Sequence, residues 1–360
     1  MSVRSKISIL SGLKVLDLSS ILAGPTCTSF LAECGAEITK IENLLTKGDA
    51  TRSWKLPSED QSSSLSAYYA SANYGKQVIL LDLTNQEHQV LLNTEIQKAD
   101  IIVSNFQQSV AVKYNVDPYD LQTKYPYKII VQLSAYTYED PRPGYDLIMQ
   151  CETGWISMNG PNEQQLCKLP VALMDLLAAH QMKEAILLAL LKKAESGIGS
   201  LCLVSLFKSA ISGLANQATN YIMAGHIAKP IGTLHPNIAP YGDQFVTKDG
   251  FIIILAIGSD VQFKKLWETL SLDDKKYPTF AFNQQRVVYR NQLHAILASQ
   301  ISQIKYTSLA NALHDAKLAF SKVNAMDEAF INPLAQSMIL VHEIEAIQLK
   351  SISNLAFEIR

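Results

Sequence analysis

LKVLDLSSILAGPTCTSFLAECGAEITKIE, residues 13–42, is the stretch that decides the fold. Leu13–Leu18 is an apolar run with one acid, the length of a buried strand and too short for a helix. Gly24-Pro25 turns the chain into a helical stretch that reaches about Cys34. Glu37–Glu42 is a second strand. Strand, crossover helix and strand make a βαβ unit, whose strands lie parallel with helices on the sheet faces.

Outward from this unit the pattern repeats. Val78–Leu83 (VILLDL), Asp100–Ser104 (DIIVS), Lys128–Ser134 (KIIVQLS) and Leu201–Leu206 read as further strands. Helical spacing appears at Gln86–Lys98, around Pro118–Lys124 and over Phe207–Met223. The expected architecture is α/β, a Rossmann-like parallel sheet whose strand ends share one edge where ligands bind. From Gly225 to Tyr241 the chain turns to Gly, Pro and His without a regular period, and the domain boundary is expected there. Residues 1–224 then form a large domain, 225–334 a smaller α+β domain including the linker, and 335–360 return to the first. In the smaller domain Asp243–Thr247 and Phe251–Ile257 predict a hairpin around Asp249-Gly250. Asp260–Leu270, Arg286–Ile304 and Thr307–Ala316 predict helices. The Ser-rich loop Thr46–Ser66 is long for a compact domain, which marks it as functional or mobile.

Composition narrows the function. A net charge of −2 lacks the basic excess of a nucleic-acid binder, so nucleic acid is not expected as a partner. No apolar window approaches the length of a membrane span, and none is expected. Five cysteines, with no Cys-x-x-Cys pair, fit reduced thiols in the cytoplasm, and no metal site is expected. The N-terminal stretch has no uninterrupted apolar run with a small-residue cleavage site, so export is not expected. The first strand is followed by Ser19–Pro25, without three spaced glycines, so a nicotinamide or flavin cofactor is not expected. No P-loop and no Gly-x-Ser-x-Gly elbow occurs.

One acid is singled out by its place in the chain. Leu169–Lys193, LPVALMDLLAAHQMKEAILLALLKK, is a long helical pattern in which Leu176, Leu177, Ala179, Met182, Ile186 and Leu190 fall on one face. Asp175 stands at its start, where unpaired N–H groups and the helix dipole favour a negative charge. On the residues alone it is either a helix cap or a reactive carboxylate presented to a pocket.

An ordered series of segments resembles one known family, the family III CoA-transferases, which also contains α-methylacyl-CoA racemases. GLKVLDLSSILAGP (12–25), GAEITKIE (35–42), Gly48-Asp49 with Arg52, Leu81-Asp82-Leu83, KADIIVSNF (98–106), RPGYDLIMQ (142–150), VALMDLLAA (171–179), LANQATNYIMAG (214–225) and HPNIAPYG (235–242) carry the resemblance. It implies an enzyme that moves CoA from an acyl-CoA thioester to a small free carboxylic acid, with no tightly bound cofactor. It implies Asp175 as nucleophile, passing through an aspartyl anhydride and an aspartyl-CoA thioester. The same resemblance assigns coenzyme A to Leu81, Asp82, Leu83, Asn105, Phe106, Gln107 and Lys113, with Tyr145 and Asp146 near the acyl end. It further implies an interlocked homodimer and a small dicarboxylate such as succinate as one substrate. The racemase branch carries histidine where this chain has Tyr145, so two-base proton exchange lacks a partner. Asn43 and Gln77 stand where basic residues are usual, which thins the expected phosphate contacts. An acyl-CoA isomerase and a CoA-binding protein without turnover are the alternatives.

Overall fold

A computed structural model describes residues 8–273, 276 and 278–359. Met1 to Ile7 and Arg360, the two ends of the expected large domain, lie outside the described residues. Six strands form one parallel sheet: β1 Lys14–Leu18, β2 Glu37–Asn43, β3 Lys76–Leu81, β4 Ile101–Ser104, β5 Ile129–Ser134 and β6 Ser200–Ser205. Their order is β3-β2-β1-β4-β5-β6, the 3-2-1-4-5-6 order of doubly wound sheets. The order reverses between β1 and β4, so the loops after these two strands flank a crevice at the C-terminal edge. That crevice is where such sheets bind ligands.

The strands are buried on both faces because apolar side chains alternate across them. Val15, Ile38, Ile101, Val103, Ile129 and Val131 face one layer, with Cys27, Phe30 and Leu31 of helix α1 (Ala23–Glu33). Leu16, Ile41, Leu81, Ile102 and Ile130 face the other. There they meet Leu92 and Ile96 of α3 (Gln86–Lys98) and Leu121 of α5 (Pro118–Lys124). The short helices α2 (Ala67–Ala72) and α4 (Gln108–Lys113) precede α3 and α5 respectively, and α6 covers Asp146–Glu152. The long helix α7 spans Leu173–Ser196 and ends at Gly197, whose φ of +70° suits glycine. It buries Met174, Ala178, Met182, Ile186 and Ala189 in the first layer, each large side chain contributing about 1.5–3 kcal/mol.

The single helix expected over Phe207–Met223 is two, α8 Leu206–Gly213 and α9 Asn216–Ala224, broken where Ala215 takes φ +47°. α8 buries Leu206, Ser209 and Ala210, whereas α9 buries nothing, so packing does not hold the two halves in one rod. The last strands, β10 Ile339–Ile344 and β11 Ile347–Ile352, pair with each other and do not extend the parallel sheet. Ile344, Ile347 and Leu349 pack with Leu65, Tyr69 and Val78 instead.

The chain divides into two units. One holds the parallel sheet and comprises the described residues up to Trp155, Lys168–Ile227 and those from Pro333 onward. The other comprises Ile156–Cys167 and Ala228–Asn332. Its antiparallel sheet is β7 Tyr241–Val246, β8 Ile252–Ala256 and β9 Phe320–Lys322. Around it lie α10 Asp260–Thr269, α11 Asn283–Val288, α12 Arg290–Ile301 and α13 Tyr306–Asp315. The helix expected over Arg286–Ile304 is thus split at Tyr289. Arg286 is buried there, donating to the carbonyls of Ala239, Phe280 and Ala281 and to Asp260.

Candidate active site

The loop after β1 forms one side of the crevice, and buried charge fixes its shape. Asp17 on β1 accepts from Lys76 Nζ (3.0 Å), Thr28 Oγ1 (2.6 Å) and Ser19 Oγ (2.5 Å). Burial acts to raise the Asp17 carboxyl, but Lys76, Lys40 and the two hydroxyls overcome it and hold the group well below the usual carboxylate range. A second buried pair lies beside it. Lys40 Nζ donates to Asp49 (3.2 Å) and to the Ser19 carbonyl (2.8 Å). Asp49 in turn accepts from the backbone N–H of Ile21 at 3.1 Å. Asn105, just after β4, closes the loop from the other side. Its Oδ1 accepts from Ser20 N and its Nδ2 donates to Ser20 O, both at 3.1 Å. Held this way, Ile21 takes φ +72°, a left-handed conformation that costs a β-branched residue about 1–3 kcal/mol. Gly24 is needed nearby, since a Cβ there would stand 2.3 Å from Ser19 Oγ.

Two cavities open along this edge. The larger, about 400 Å³, is lined by Ser20–Ala23, Asn105, Phe106, Gln107, Asp140, Arg142, Tyr145 and Asp175 among others. The smaller, about 210 Å³, is lined by Ser20 and Ile21, by Gly48–Ala50, and by Asp82, Leu83, Phe106 and Tyr114. No lysine or arginine lines it among the described residues. The strained loop and Phe106 border both. Of the residues singled out in the sequence, Asp175, Asn105, Phe106, Gln107 and Tyr145 therefore meet in the first cavity, and Asp82, Leu83 and Phe106 in the second. Leu81 lines neither and is buried in the core of the sheet. Lys113 is exposed at the end of α4 with its ammonium 5.6 Å from the Tyr114 ring. Asp146 lines neither cavity and works on a helix end.

Asp175 is the third residue of α7, and the cap of that helix lies elsewhere. The cap position is Ala172, which has no side chain to give. Asp146, at the start of α6, supplies the missing acceptor across space. Its Oδ1 accepts from Met174 N (2.7 Å) and Asp175 N (3.3 Å), and its Oδ2 from Gln150 Nε2 (2.5 Å). Gln150 Oε1 accepts from Leu169 N at 2.9 Å, fixing the approach to the helix. Such a cap is worth about 1 kcal/mol. Arg142 does not pair with Asp146; it is taken by Asp140.

The Asp175 carboxylate itself accepts no hydrogen bond among the described residues. Burial first, and the Asp146 charge second, push its carboxyl up to about 7. The group is therefore half ionised near neutral pH, strongly basic for a carboxylate, and turned to a cavity. Tyr68 lies in its field: burial and then Asp175 raise the tyrosine hydroxyl, which stays a neutral donor. Tyr68 packs edge-on against Trp54 with ring centroids 5.1 Å apart. Tyr68, Ile21, Asp140 and Arg142 were missed in the sequence. Only the position of Ser20–Ala23 after the first strand pointed toward the loop.

The family model for CoA-transferase family III matches residues 10–360. The chain is 32% identical to "Succinate–glutarate CoA-transferase" of Agrobacterium fabrum, over 94% of this chain and 85% of that one. It is 29% identical to human "Succinyl-CoA:glutarate CoA-transferase", over 95% and 77%. The crystal structure of a CaiB/BaiF family protein from Brucella suis superposes with a TM-score of 0.85 at 30% identity, over 98% of this chain and 93% of that one. The crevice at the β1–β4 reversal, with one basic carboxylate at its wall, thus lies in a chain that belongs to CoA-transferase family III.

Proposed function

We propose that this enzyme transfers CoA between an acyl-CoA and a free acid through covalent intermediates on Asp175. The observation that carries the reading is the Asp175 carboxylate, which lines the larger cavity and accepts no hydrogen bond among the described residues. The other carboxylate in that wall, Asp140, is engaged by Arg142. In the first step an Asp175 oxygen attacks the thioester carbon. The C–S bond breaks and CoA leaves as thiolate, giving the mixed anhydride. The thiolate then attacks Cγ of Asp175, which releases the donor acid as carboxylate and leaves an aspartyl-CoA thioester. An acceptor carboxylate attacks the same Cγ, expels thiolate and forms a second anhydride. Attack of the thiolate on the acceptor's acyl carbon returns Asp175 as carboxylate and yields the new acyl-CoA. Each barrier is that of a simple acyl exchange. No proton is gained or lost over the cycle, so the chemistry needs an ionised Asp175 and no general base. Leu22 and Ala23 line the cavity, and their N–H groups have no protein acceptor among the described residues; they are suited to the oxyanions of the tetrahedral states.

The nucleotide end of CoA is assigned to the smaller cavity, beside Asp82, Leu83, Phe106 and Tyr114, and Lys113, whose ammonium lies 5.6 Å from the Tyr114 ring centroid, is proposed for a phosphate. A small dicarboxylate is the proposed acid, in line with the succinate and glutarate of the relatives' names. We further read the protein as a homodimer, since Tyr221, Ile222 and Met223 of α9 are 60–82% exposed and such apolar surface is ordinarily covered. Free thiols suit the cytoplasm. Incubation with acyl-CoA and hydroxylamine tests the mechanism: Asp175 becomes a hydroxamate and activity is lost with time. An isomerase or a non-catalytic binder survives the treatment unchanged.

A further inference from the structure

Arg142 is the one cation among the described residues that line the Asp175 cavity. Its side chain is 60% exposed at the mouth, yet it is held on two sides. The guanidinium lies 3.8 Å from the centroid of the Tyr136 ring. Tyr136 is itself anchored, its hydroxyl donating to Glu152 at 2.9 Å. Along one edge Nε donates to both oxygens of Asp140 (3.0 and 3.1 Å) and Nη2 to one of them (2.7 Å). A guanidinium carries five N–H groups in a rigid planar fork. Asp140 takes the Nε–H and one hydrogen of Nη2. The three remaining hydrogens, two on Nη1 and one on Nη2, have no protein acceptor among the described residues. They lie along the end of the fork, the geometry that takes a carboxylate with two parallel hydrogen bonds.

We infer that Arg142 is the specificity-determining residue for the acid, binding the distal carboxylate of a dicarboxylate whose other carboxylate reacts at Asp175. The inference rests on the CoA-transfer reading above. Asp140 and Tyr136 are positioning residues in it: they fix the plane of the fork and leave its free edge for substrate. A monocarboxylate of equal length leaves that edge to water and gains nothing from it. Without Arg142 the cavity wall holds, among the described residues, two acids and no positive charge, which disfavours a dianion.

The test is internal competition. Wild-type enzyme, R142Q and R142K receive one acyl-CoA donor with glutarate and valerate together, and mass spectrometry reads the ratio of the two new CoA esters. Both acids compete for one covalent intermediate, so any change in the donor step cancels. The wild type forms mainly the dicarboxylate ester. R142Q lowers the ratio by about 10- to 100-fold, as expected for loss of a charge-assisted pair. Valeryl-CoA formation persists. R142K, which keeps the charge but not the fork, falls between. Equal loss for both acids, an unchanged ratio, or a wild type indifferent to the second carboxylate overturns the role of Arg142 alone. A wild type that transfers CoA to no acid overturns the CoA-transfer reading, and this inference with it.

Discussion

Replacing Asp146 with asparagine separates the charge that Asp146 places on Asp175 from the cap it gives to α7. Asparagine keeps a carbonyl oxygen for the N–H groups of Met174 and Asp175 and removes the negative charge. In the wild type the Asp175 carboxyl stands at about 7 against an ordinary 3.8, with burial the larger cause and Asp146 the smaller. kcat/KM for the acyl-CoA reports the free enzyme, and the proposed role of Asp175 as nucleophile requires its ionised form. It should therefore rise along an acidic limb centred near pH 7, at about a tenth of plateau at pH 6 and nine-tenths at pH 8. Since Asp146 is the lesser of two causes, removing its charge moves that limb down by less than half of the interval to 3.8. The D146N limb should thus centre between about pH 5.5 and 7. The assay is initial-rate kinetics from pH 5 to 9 at constant ionic strength, with circular dichroism at each pH to confirm that the fold holds. A D146N profile that superimposes on the wild type, or a limb that moves up, refutes the electrostatic reasoning. So does a wild-type rate that is flat across this range.

Three further outcomes follow from the same contacts. D175N removes a carboxylate that the folded chain prefers protonated. Its folded value is raised, so the stability it contributes is present at low pH and lost as pH rises through about 7. D175N should then melt higher than wild type at pH 8 and much like it near pH 4, by up to about 4 kcal/mol before solvent screening is discounted. D49A strands the buried Lys40 ammonium and frees the Ile21 loop. Urea unfolding should show a loss of about 3–5 kcal/mol, and D49N, which keeps an acceptor for Ile21 N, should retain more CoA-transfer activity than D49A. G24A drives a Cβ to 2.3 Å from Ser19 Oγ, and thermal melts should register about 1–3 kcal/mol from overpacking.

The sheet was legible because its strands are short apolar runs bounded by turns; β1, β2, β4, β5 and β6 begin and end within a residue or so of the runs that predict them. Periodicity carries no information on neighbours, so the 3-2-1-4-5-6 order came only with the fold. The break at Ala215 was hidden because nothing in LANQATNYIMAG forbids a continuous helix before Gly225, whereas Ala215 itself takes φ +47°. Asp175 was visible through its place at the head of a long amphipathic pattern. Whether it was the cap was not, because the cap of α7 comes from Asp146, 29 residues earlier, and a contact across space leaves no local signature. The same holds for Ile21: nothing in SSILAGP announces a left-handed isoleucine, which exists only because Asp49 and Asn105 grip its loop from two other elements. Arg142 stands four residues before Asp146 in the sequence, yet the folded loop gives it to Asp140, a pairing that the order of residues does not announce.

The most direct measurement gives wild-type enzyme an acyl-CoA with no acceptor acid, quenches in acid, and reads peptide masses. CoA should appear joined as a thioester to the peptide that carries Asp175, with no such adduct in D175A, which should not turn over. An adduct on any other residue, or full turnover by D175A, contradicts a covalent role for Asp175.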